Sequence, residues 1–147
     1  MEKLNEVRQW LCDEGVYLFD RQLPFHNDTS HAVTIRLRGN VWGIFLDGDR
    51  LTTTAQEKSA ALHEAGHYAT GTTHALDSPF DLVAKHEHKA DKWAVQRALS
   101  AEELDEAVAS GCTELWELAE HFNVTEEFMK KAVCWYTHGN LSADLYF

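Results

Sequence analysis

Five residues, HEAGH from His63 to His67, combine the side chains that hold a divalent metal with one that can move a proton. Histidines four apart on a helix lie about 40° from alignment, so both imidazoles project from one face and can share an ion. Zinc takes imidazole nitrogen at about 2.0–2.1 Å, and a catalytic zinc keeps three protein ligands and leaves one position to water. Glu64 lies between the histidines and can reach that water. Zinc lowers the pKa of bound water toward about 7, and a nearby carboxylate can take its proton and later deliver it to a leaving amine. That is the chemistry of peptide-bond hydrolysis.

Alone the motif carries limited weight, because roughly one random shuffle in twenty of so His- and Glu-rich a chain would contain it. The segment KHEHKADKWA, Lys85 to Ala94, adds what a zinc site lacks. Glu87 supplies a third ligand from a second helix, and Asp91 follows it one turn later on the same face. Asp91 is suited to accept a hydrogen bond from the outer ring nitrogen of a ligand histidine, which fixes the tautomer and raises basicity. His86, His88 and Asp91 are rival ligands, although helix geometry aims His86 and His88 about 100° to either side of Glu87. A two-histidine, one-carboxylate set can also hold iron or manganese.

Hydrolysis also needs a donor for the oxyanion that forms on the scissile carbonyl. Tyr68, His74, Tyr136 and His138 are the candidates, with core packing the simpler reading of the tyrosines and a solvated loop that of the histidines.

These residues must be positioned by flanking elements. Leu4, Val7 and Leu11 share one helical face, with Trp10 beside them and Gly15 as a stop. VYLFD, VTIRLRG and VWGIFLDGD then read as strands of a small antiparallel sheet with a hairpin near Gly39. Arg36 and Arg38 alternate onto one strand face, the solvated one, and a free edge of this sheet could take an extended substrate by strand addition. Thr54 and Glu57 have the form of a capping box opening a helix from about Ala55 to Thr70, closed by Gly71. Ser78 and Pro79 offer a cap and a first-turn proline for a second helix ending near Leu99. Ser100 with Glu103, Gly111, Thr113, and Asn123 or Thr125 punctuate three short helices behind it.

HEAGHY resembles the HELGH helix of the ImmA/IrrE-type metallopeptidases. EHKADKWA is similar to that family's later ExEAnxFA segment, with Glu87, Ala90, Asp91, Trp93 and Ala94 at matching positions. The likeness covers roughly Val33 to Leu99; Ala65 stands where leucine is usual, and Lys89 replaces the second glutamate. The resemblance implies a zinc endopeptidase that cleaves a helix-turn-helix repressor encoded beside it, releasing genes of a phage, another mobile element or a stress response.

The expected fold is α+β: one domain over residues 1–147, with the sheet and a zinc-binding helix pair in 1–99 and a helical C-terminal subdomain in 100–147. Three widely spaced cysteines form no CxxC pair, and a formal charge of −11 argues against phosphate-backbone binding. TELWELAEHFNVTEEFMKKAV has the rhythm of a helix-turn-helix, yet only Lys130 and Lys131 are basic on its second helix, and Trp116, Leu118 and Phe122 read as core. No run is apolar enough for a membrane span and the start is charged, so a cytoplasmic protein with a protein partner is expected. The principal alternative is a non-catalytic regulatory module that sequesters a partner, with structural or no zinc.

Overall fold

The computed structural model describes residues 1–20, 31–73, 78–143 and 147. His74 lies outside these. In chain order the elements are α1 (Leu4–Asp13), β1 (Tyr17–Asp20), β2 (Ala32–Leu37), β3 (Val41–Leu46), α2 (Thr54–Thr70), α3 (Phe80–Ala98), α4 (Ala101–Ala109), α5 (Leu115–Phe122) and α6 (Glu126–His138). The α+β class expected from the sequence is the one observed.

The sheet has the order β1-β3-β2. β2 and β3 form the antiparallel hairpin, with Leu37 opposite Val41. Its tip turns on Gly39 and Asn40, both at positive φ (76° and 60°), a region that glycine occupies freely and asparagine tolerates. β1, however, runs parallel to β3, pairing Tyr17 with Gly43, so the sheet is mixed and not wholly antiparallel. A tight turn forces antiparallel pairing only between the strands it joins, and β1 and β3 are not consecutive in the chain. β3 is thereby central, and its Ile44 and Leu46 are fully buried.

Beneath the sheet lies α2, which opens one residue earlier than the spacing predicted. Thr53 is the cap, its hydroxyl accepting from the Gln56 amide at 3.1 Å. Thr54 instead reaches Asn123 Oδ1 at 3.2 Å, and Glu57 pairs with Arg8 of α1. Gly71 closes the helix in the left-handed region, as expected. The start of α3 is also displaced by one: Pro79 is the cap itself, without a side-chain hydrogen bond. The Ser100–Glu103 capping box forms with both bonds at 3.1 Å, and Thr125 caps α6. Thr113 does not cap α5, whose cap residue is Glu114.

The C-terminal helices share their core with the helix pair. Leu118, Phe122, Met129 and Ala132 belong to one buried cluster with Leu62, Ala94 and Val95. Trp116 departs from expectation: it is 52% exposed, because Leu115, Leu118, Ala119 and Phe122 form the inward stripe and Trp116 sits about 100° off it. Lys58, fully buried on α2, donates to the Phe122 carbonyl at 2.6 Å. With Ser59 Oγ accepting from the Thr125 amide at 3.0 Å, this fastens the α5–α6 turn to α2.

Candidate metal centre

The spacing of α2 and α3 is set by two small residues. A Cβ on Gly66 would stand 2.4 Å from the carbonyl oxygen of Ala90, so only glycine permits the helices this approach. The carboxylate one turn before Ala90 can then span both histidines. Glu87 Oε2 lies 2.8 Å from His63 Nε2, and Oε1 lies 3.0 Å from His67 Nε2. The two Nε2 atoms are 3.2 Å apart, and the rings are perpendicular.

Each imidazole is fixed from behind. His63 Nδ1 is 2.7 Å from Asp91 Oδ1, and His67 Nδ1 is 2.9 Å from the Thr72 carbonyl oxygen. A carbonyl only accepts, so His67 donates from Nδ1, which leaves Nε2 to face Glu87. Gly71 is what folds the chain back to bring Thr72 there. Asp91 is held in turn, its Oδ2 2.9 Å from Lys131 Nζ of α6.

Electrostatics make the same demand for positive charge. Burial alone would lower the His63 pKa, but Asp91 and Glu87 outweigh it and raise it to about 10. Burial would raise Glu87, yet His63 and His67 hold it far below the usual carboxylate range. Asp91 is likewise depressed, its burial overcome by His63 and then Lys131. Glu64 moves the other way: burial raises it, and the neighbouring imidazoles only partly counter this. A raised pKa makes a buried carboxylate a stronger base.

The donor set fits a metal. Ligand atoms at tetrahedral zinc bond lengths stand about 3.3 Å from one another, close to the 2.8, 3.0 and 3.2 Å separations here. Among the described residues, His63, His67 and Glu87 are the group whose ligand atoms converge. His86 and His88 are not part of it; His88 is exposed on α3.

Beside this group opens a cleft of about 530 Å³. It is lined by His31 and Ala32 at the start of β2, by Phe128 and Lys131 of α6, and by His63, Glu64 and Glu87. The three oxyanion candidates among the described residues are elsewhere. The Tyr68 hydroxyl is 3.5 Å from Glu14, and its ring packs edge-on against Trp10 and Trp42. Tyr136 donates to the Leu99 carbonyl, and His138 is exposed at the end of α6; none of the three lines the cleft.

Two contacts escaped sequence reasoning. Thr34 Oγ1 of β2 lies 3.2 Å from Glu64 Oε2, and Lys131 meets Asp91. Both depend on packing between elements distant in the chain, and no local pattern signals them. Lys131, which a DNA-reading helix would have needed on its surface, is turned onto Asp91.

No helix among the described residues is long and apolar enough to cross a membrane. No curated protein and no solved structure matches the chain. A peptidase family model described as the IrrE N-terminal-like domain matches residues 13–133, a span that holds α2, α3, the sheet and most of α6. With that match over most of its length, the chain belongs to the ImmA/IrrE family of metallopeptidases.

Proposed function

We propose that this protein is a zinc-dependent endopeptidase whose substrate is a helix-turn-helix repressor encoded nearby. One observation carries the reading: His63, His67 and Glu87 converge beside the buried carboxylate of Glu64, and His63, Glu64 and Glu87 line one open cleft. The repressor comes from what the family resemblance implies.

Zinc held by His63, His67 and Glu87 would act as a Lewis acid toward water and the scissile carbonyl. The protein's own groups do the rest. Glu64 takes the proton from the attacking water and passes it to the leaving nitrogen, a role worth on the order of 100-fold or more in rate. Asp91 holds the His63 ring with its Nε2 toward Glu87, and Lys131 keeps the Asp91 carboxylate in place. Among the described strands β2 stands at an edge, and its start borders the cleft, so an extended peptide can lie along it.

The test is co-expression with the repressor encoded beside the gene, comparing wild type with Glu64→Gln. Repressor should disappear only with the wild type. Equal loss with both, or loss of repressor function without cleavage, would favour a module that sequesters its partner.

A further inference from the structure

Proton transfer by Glu64 requires its carboxylate to hold one orientation relative to the metal ligands, and the packing supplies a device for this. Thr34 projects from β2 onto α2, and its hydroxyl lies 3.2 Å from Glu64 Oε2 and 3.1 Å from the main-chain oxygen of the same residue. A single hydroxyl therefore spans both the carboxylate and the backbone of the helix that carries His63 and His67. Glu64 is only 6% exposed, so few waters compete for Oε2. A hydrogen bond from the hydroxyl to Oε2 occupies one of that oxygen's lone pairs and fixes the orientation of the carboxylate.

Resting on the peptidase reading above, we infer that Thr34 is a positioning residue, holding Glu64 Oε2 against β2 and leaving Oε1 to exchange protons in the cleft. Thr34 keeps its own proton throughout. The water O–H bond breaks as an O–H bond forms at Glu64 Oε1; that bond then breaks as an N–H bond forms on the departing amine. The same strand that borders the substrate cleft thus also orients the base, so substrate register and base orientation share one frame.

Threonine and valine have nearly the same shape, which makes Thr34→Val a clean removal of the hydroxyl, and Thr34→Ser restores it. The first measurement uses the protein with its glutamate carboxyl carbons labelled with carbon-13, the Glu64 signal being assigned by its absence in Glu64→Gln. Thr34→Val should shift that signal, and Thr34→Ser should leave it near its wild-type position. The second measurement is repressor cleavage. Thr34→Val should lower kcat on the order of 10-fold with KM and zinc content unchanged, and Thr34→Ser should recover most of it. An unmoved carboxyl signal, wild-type kcat, or activity lost only in proportion to zinc or folded protein would each overturn the assignment. An active wild type with an unaffected Thr34→Val removes this inference alone. A wild type that cleaves no repressor removes the peptidase reading, and with it the catalytic meaning of Thr34.

Discussion

Gly66 on α2 and Ala90 on α3 are in such close contact that a methyl group on Gly66 would lie 2.4 Å from the Ala90 carbonyl oxygen. At an exposed helix position, Gly→Ala gains up to about 1 kcal/mol. Here the sign reverses, since forcing an extra carbon into a packed interface costs about 1–3 kcal/mol. Glu87, one turn from Ala90, would be carried away from the histidines. Gly66→Ala should therefore lower the melting temperature and weaken zinc binding together, as read by thermal unfolding and chelator competition. A stabilised variant with normal zinc affinity would refute this role for the contact.

Asp91 touches the outer nitrogen of His63 and no ligand position, so its removal should leave the ligand set intact but poorly aimed. Disturbing such a partner typically costs 10–100-fold in metal affinity. Asp91→Ala should bind zinc in that weakened range while retaining its helical circular dichroism. Wild-type affinity would mean that the 2.7 Å contact does not hold the ring.

Buried Lys58 makes stability depend on pH in a defined direction. Burial lowers its pKa to about 8 in the folded chain, against 10.5 as the ordinary value. The folded state thus loses its proton first. Below about pH 8 both states are protonated and the burial cost is fully present, and between 8 and 10.5 the cost is relieved as pH rises. Relative to Lys58→Met, the wild type should gain about 2–3 kcal/mol across that interval, measured by denaturant unfolding of the two proteins side by side. A constant difference between them would argue against a depressed Lys58.

Tyr68 and Tyr136 both direct their hydroxyls away from the cleft, toward Glu14 and the Leu99 carbonyl. Tyr68→Phe and Tyr136→Phe should each retain activity within about twofold, as groups that act only through packing do. A large fall in kcat for either, with the fold intact, would restore it as an oxyanion donor.

The site was legible wherever its chemistry repeats along one helix. HEAGH and the Glu87/Asp91 pair follow from helical periodicity, and the expected contact of Asp91 with an HEAGH histidine is made to His63. The start of α2 differs from its expected place by one residue, because neighbouring Thr52, Thr53 and Thr54 all offer capping hydroxyls and packing against Asn123 decides among them. Contacts set by tertiary packing were not legible. Thr34 on Glu64, Lys131 on Asp91 and the parallel pairing of β1 each join elements far apart in sequence, where no local periodicity applies. Trp116 departs from the core reading for a related reason: one step around a short helix separates the buried stripe from solvent.

The most direct test of zinc-dependent hydrolysis is turnover of purified Glu64→Gln beside wild type, each loaded to the same measured zinc content, on the repressor encoded next to the gene. Glutamine keeps the size of Glu64 and its bond to Thr34 but cannot take a proton from water. The expected result is equal zinc and a kcat lower by on the order of 100-fold or more. Undiminished turnover at equal zinc would contradict the account.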